Sequence, residues 1–102
     1  MANLTAGIGE ICVSRCPDDI ITAVGLGSCV AIVLYDPVSA NIGVAHCMLP
    51  ADNGRDADKA DKPGRYVDTG MAEMLDRMSV AEHRASRLVA ALAGGAAMFN
   101  FN

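Results

Sequence analysis

Tryptophan is missing from this chain, and phenylalanine and tyrosine supply only two residues each, so aromatics make up 4% of its 102 residues. A core built from such a chain must rely on aliphatic side chains and alanine, with few large anchors. Basic residues are also scarce: eight Lys and Arg stand against twelve Asp and Glu, a net charge of −4 with no long charge run. That argues against a nucleic-acid partner, which needs a basic footprint, and against adhesion to an anionic membrane. No apolar stretch approaches the roughly 20 residues of a membrane-spanning helix, so no membrane insertion is expected. The start lacks the basic-then-apolar layout of a secretory leader, and a reducing, cytoplasmic location is the expectation. Internal repeats and low-complexity segments are absent as well, and the length suits one domain, residues 1–102.

Cysteine is present four times, but the Cys-x-x-Cys knuckle of a zinc site is not. Cys12 and Cys16 are three residues apart in the gap, and the adjacent His46 and Cys47, on a strand, point to opposite faces and cannot easily share an ion. No metal and no other cofactor is expected.

Of what is there, the stretch Val24-Gly25-Leu26-Gly27-Ser28-Cys29-Val30-Ala31-Ile32-Val33-Leu34-Tyr35 organises the rest. The branched run from Cys29 to Tyr35 predicts a buried strand, and Gly25 and Gly27 before it let the backbone bend sharply. An isolated cysteine is more often an inert core residue than a nucleophile. Here the context changes the balance. The next apolar run, Ile42 to Leu49, contains His46, and the turn-forming Asp36-Pro37-Val38-Ser39-Ala40-Asn41 between the runs predicts a hairpin. If Tyr35 pairs with Ile42, Cys29 falls opposite Met48 and diagonal to His46, roughly 7–8 Å away at the backbone. A slip of one residue would separate them onto opposite faces.

Around this hairpin, Gly7 to Val13 reads as a first strand, with Ile11 and Val13 on one face and Cys12 on the other, and Ile20 to Val24 as a second. The polar segment from Ala51 to Arg65 has no hydrophobic period and is expected to be a long loop, placed to cover the site as a lid. Val67, Met71, Met74, Leu75 and Met78 follow helical spacing, and Leu88 to Ala93 predicts a further strand. His83 falls between the two and reads as a surface residue. Strands with one packed helix give an α+β domain, layered in the α/β manner.

Gly-Leu-Gly-Ser-Cys-Val followed by Val-Ala-His-Cys-Met-Leu-Pro resembles the CheD family, the chemoreceptor glutamine deamidases of chemotaxis. Asp61-Lys62-Pro63-Gly64-Arg65-Tyr66-Val67-Asp68 and Ala93-Gly94-Gly95-Ala96-Ala97-Met98-Phe99 match the same family in order and spacing. The resemblance implies a mixed β-sheet core with a packed helix, similar to other cysteine hydrolases that act on glutamine. It implies Cys29 as nucleophile and His46 as its base, with receptor glutamines as substrate and the phosphatase CheC as partner. Gly27 and Ser28, with the Cys29 N–H, are candidates for the oxyanion turn, and Lys62, Arg65 and Tyr66 for substrate contact.

The chain departs from the family pattern twice. The threonine expected six places before the cysteine, to orient the histidine, is replaced by Ala23, with Thr22 one place earlier; on a regular strand that turns the hydroxyl away. Family members also continue past the Gly-Gly-Ala segment, so residues 1–102 read as a single CheD-like domain truncated at its C-terminus. Uncovered apolar residues near that end, Leu88, Val89, Leu92, Met98 and Phe99, are expected to favour association. A binding module that engages receptor or CheC without turnover is the alternative, and a redox or metal protein built on the cysteines is a weaker one.

Overall fold

The computed structural model describes residues 2–49, 62–80 and 87–95. In chain order they form β1 (Asn3–Thr5), β2 (Ile11–Ser14), β3 (Ile20–Thr22), β4 (Val30–Tyr35), β5 (Ile42–Cys47), a 3₁₀ turn at Pro63–Arg65, helix α1 (Val67–Arg77) and β6 (Val89–Gly94). The class is α+β, as expected. Four strands make an antiparallel sheet in the order β2-β5-β4-β6, and β1 and β3 pair in parallel as a separate ribbon. No helix among the described residues is long and apolar enough to cross a membrane.

The central hairpin has the anticipated register, running from Tyr35↔Ile42 to Val30↔Cys47. Its turn is organised by Asp36, whose fully buried carboxylate accepts from the Val38 N–H (3.0 Å), the Ser39 hydroxyl (2.7 Å) and Arg87 Nη2 (2.6 Å). The Arg87 guanidinium, first among these, holds the carboxyl down at about 2, against an ordinary value of 3.8. Because Arg87 leads into β6, this pair also ties the outer strand to the hairpin.

Side chains alternate across the sheet and split the core in two. Ile32, Leu34, Ala45 and Cys47 face α1 and pack with Met74, Met78 and Val80. Val67, Met71 and Leu75 join them, as their spacing predicts. The helix lies so close that a Cβ at Gly43 would come within 2.7 Å of Met74 Cγ. Ala31, Val44 and Cys12 of β2 face the other way, where Ala6, Ile21, Ala23 and Leu26 from the ribbon side cover them. Pro63 fits the start of the 3₁₀ turn, which needs no donor there. The Thr69 hydroxyl then donates to the Pro63 carbonyl (2.5 Å), joining that turn to α1.

The start of the chain differs from the expectation. Residues 7–10 form a tight turn rather than strand: Glu10 Oε1 accepts the Gly7 N–H (2.7 Å) and the Glu10 N–H donates to the Gly7 carbonyl (2.9 Å). Gly9, at φ 78, takes a left-handed conformation that suits glycine, so the strand begins only at Ile11. At the opposite border of the sheet all six residues of β6 are exposed, including Val89 at 57% and Leu92 at 72%.

Candidate active site

Cys29 stands half-buried at the end of a glycine turn, one residue before β4. Gly25 and Gly27 have φ of 69° and 47°, so the turn uses the backbone freedom that the glycines supply. The Cys29 N–H closes the turn by donating to the Leu26 carbonyl (2.5 Å), which engages a group anticipated as an oxyanion donor. Gly27 and Ser28 are exposed, and no acceptor among the described residues takes their N–H groups. The Cys29 carbonyl accepts the Gly95 N–H (2.7 Å) at the end of β6. In the sequence Gly94-Gly95 stands as the end of a strand and as part of a family motif, without a role at Cys29. Its signal was the doubled glycine, at φ 93 and 78, where a plain strand end needs neither.

His46 pairs with Ala31 across the hairpin, and extending the register by one pair sets Cys29 opposite Met48, diagonal to His46. The imidazole is fully buried. Its Nδ1 lies 2.9 Å from the Ala6 carbonyl oxygen. A carbonyl can only accept, so Nδ1 carries a hydrogen, and in the neutral ring the lone pair falls to Nε2. Nε2 is buried and has no hydrogen-bond partner among the described residues. The main chain on either side is gripped too: the His46 N–H donates to the Glu10 carbonyl (3.0 Å) and the Gly9 N–H to the His46 carbonyl (2.8 Å). Ala6 is itself fixed, its N–H donating to the Thr22 carbonyl (2.8 Å).

Thr22 is exposed on β3, whereas its neighbour Ala23 packs in the cluster of Ala6, Ala31 and Val44. Thr22 therefore reaches His46 only through main chain, by holding Ala6, whose carbonyl is the orienting partner. That partner leaves no trace in the side-chain pattern and was not anticipated.

The three residues expected at the substrate separate. Tyr66 is buried at 4% exposure. The Arg65 carbonyl accepts the N–H groups of Met48 (2.8 Å) and Leu49 (3.2 Å), which steadies the chain just after His46. Lys62 lines a groove of about 210 Å³ with Gly9, Glu10, Ile11, Pro63, Gly64 and Arg77, none of them Cys29 or His46. Residues 50–61, the greater part of the expected lid, and His83 lie outside the described residues.

The other thiols have different surroundings. Burial, and then the nearby Cys29, push Cys47 up to about 11. Cys12 is raised by burial and by Glu10, and its Sγ donates to the Thr5 carbonyl (3.2 Å). Cys16 is exposed.

A family model described as CheD chemotactic sensory transduction matches residues 48–102, just over half the chain. The chain is 48% identical over 100 residues to a probable chemoreceptor glutamine deamidase CheD of Methanococcus maripaludis, covering 97% of this chain and 61% of the relative. It is 46% identical over 99 residues to its counterpart in Methanococcus vannielii, covering 97% and 61%. It is 44% identical over 93 residues to the chemoreceptor glutamine deamidase CheD of Thermotoga maritima, covering 91% and 56%. The chain spans about three-fifths of the length of these curated relatives.

Proposed function

This chain belongs to the CheD family, and on that premise we propose that it is a deamidase of chemoreceptor glutamines, with Cys29 as nucleophile and His46 as base. The observation that carries the reading is His46 itself. It is fully buried, with Nδ1 committed to a carbonyl and Nε2 unpartnered, one diagonal step from a cysteine on a glycine turn. Burying an imidazole nitrogen without a partner costs about 1–3 kcal/mol. A reactant that arrives during turnover gives that cost a purpose.

In the reaction, Nε2 takes the Cys29 proton and the thiolate attacks the glutamine carboxamide carbon, forming the C–S bond. The carbonyl electron pair moves to oxygen, where the Gly27 and Ser28 N–H groups are the available donors, each contributing about 3 kcal/mol at such a site. Collapse breaks the C–N bond as the imidazolium returns its proton to nitrogen, and ammonia leaves. Water, deprotonated by Nε2, then attacks the thioester carbon. Breaking the C–S bond, with the imidazolium returning that proton to sulfur, restores the Cys29 thiol and leaves glutamate. Nδ1 keeps its hydrogen on Ala6 throughout, so the ring shuttles protons through one nitrogen without turning.

The setting that goes with this reading is the cytoplasm, with a chemoreceptor cytoplasmic domain as substrate and a CheC-type phosphatase as partner. One observation favours a second reading, a module that binds receptor or CheC without turnover: Ala23 occupies the inward position where the family pattern has its threonine. Mass spectrometry of a receptor fragment incubated with the protein separates the two. Each deamidated glutamine gains roughly one dalton through the amide-to-acid hydrolysis. Such a gain supports the enzyme. A fragment that binds and keeps its mass supports the module.

A further inference from the structure

Both backbone groups of Cys29 are occupied: its N–H turns back to Leu26, and its carbonyl is taken by Gly95 from the outer strand. These two bonds fix the peptide planes on either side of the nucleophile's Cα, and so the direction in which Cβ and Sγ leave the chain. The Gly95 bond forms because Gly94 has no side chain. A Cβ there would collide with the Cys29 carbonyl oxygen and lie 3.1 Å from Leu26 Cβ, so it would strike both ends of the turn. Gly94 pairs with Val30, the first residue of β4, so the contact sits where the turn becomes strand. The other end of β6 is anchored by Arg87 on the buried Asp36, while the strand itself is exposed along its length.

We infer that Gly94 and Gly95 are positioning residues for the nucleophile: their main chain clamps the Cys29 carbonyl and holds the thiol in its attacking orientation. This rests on Cys29 being the nucleophile. A strand end that served only to close the sheet would need neither a missing Cβ over the Cys29 oxygen nor a left-handed residue whose N–H reaches it. The doubled glycine supplies both.

Two variants break the clamp differently. Gly94→Ala introduces the colliding Cβ. Replacing Gly95 by glycolic acid, a backbone ester, deletes the N–H without adding a side chain. Gly43→Ala, which overpacks against Met74 on the far side of the sheet, serves as a variant strained elsewhere. Chloroacetamide labelling at pH 7, read thiol by thiol, is followed alongside deamidation of a receptor fragment. In the wild type Cys29 should label faster than the exposed Cys16. Both clamp variants should slow Cys29 labelling and lower kcat by about tenfold or more, the scale of a small misplacement of a reacting atom, with KM unchanged and Cys47 still protected. Gly43→Ala should leave the Cys29 rate as it is. Undiminished Cys29 labelling and kcat in both clamp variants would overturn the inference, as would a loss seen only together with exposure of Cys47, which marks loosening of the core. A wild-type Cys29 slower than Cys16 would remove the nucleophile itself, and the clamp with it.

Discussion

His46 and Cys47 are neighbours on β5 and both are enclosed, yet the pleat sends them into different surroundings. Cys47 points at α1, where methionine and aliphatic side chains fill the space, and burial raises its thiol to about 11. His46 shares its face with Ala6, Ala31 and Val44, where the ribbon contributes small side chains and a carbonyl oxygen. One face is packed to be inert. The other sets alanines among larger aliphatics around an imidazole with one nitrogen held and one unpartnered among the described residues. The comparison teaches that on this sheet a residue's surroundings follow from which layer covers it, more than from the residue type. Cys29, by contrast, stands half-buried on a turn at the strand's end.

The largest effect should come from the proposed nucleophile and base. Cys29→Ser and His46→Ala should each cost at least about a thousandfold in deamidation, read as loss of the mass gain in a receptor fragment, while Cys47→Ala should keep turnover. Full activity in Cys29→Ser would erase the distinction between the thiols. Next, Met74→Ala should cost about 2–5 kcal/mol by opening a cavity under α1, measured by denaturant unfolding, with Cys29 still the fastest-labelled thiol in the folded protein. The bare outer strand gives a third test. Leu92→Lys should weaken concentration-dependent association in sedimentation, because a charge on an exposed edge opposes strand addition. A monomer at all concentrations in the unaltered chain would show that β6 does not recruit a partner strand.

Two smaller effects concern the polar anchors. The Asp36 carboxyl is depressed in the folded state, so its contribution is fully present above the ordinary carboxylate range near 3.8 and is lost as pH falls through about 2. Asp36→Asn should therefore be less stable at neutral pH and lose less on acidification to pH 2, as thermal unfolding across that range would record. Thr22→Ala should change stability by no more than about 0.5 kcal/mol, as an exposed substitution does, and Ala23→Thr should leave deamidation intact or raise it. A large loss of activity in Thr22→Ala would mean that its hydroxyl, rather than the Ala6 carbonyl, orients His46.

The parts of this molecule that could be read from its sequence are those written in side chains. Two apolar runs and the turn formers between them defined the β4–β5 register, and the stripe from Val67 to Met78 defined α1. Of the ribbon, β3 lies within the expected Ile20–Val24 strand, while β1 went unseen because three residues carry no period; the Gly7–Glu10 turn was read as strand because Ile8 and Ile11 look alike in either state. The Ala6 carbonyl could not be read at all: a main-chain acceptor belongs to every residue, and only the fold chooses which one meets an imidazole. Gly94-Gly95 was visible as a motif, but not what it grips. Tyr66, which looked like a substrate contact in a polar motif, is held inside the core.

The claim at the centre of all this is that the Ala6 carbonyl holds His46 in one tautomer, leaving Nε2 as the proposed base, one diagonal step along the hairpin from Cys29. Nitrogen-15 NMR of the imidazole at alkaline pH reads the tautomer directly, since the protonated and bare ring nitrogens resonate far apart. The predicted result is a proton on Nδ1 and a bare Nε2, in the wild type and in Thr22→Ala alike. A proton on Nε2, or an even mixture of the two forms, would contradict it.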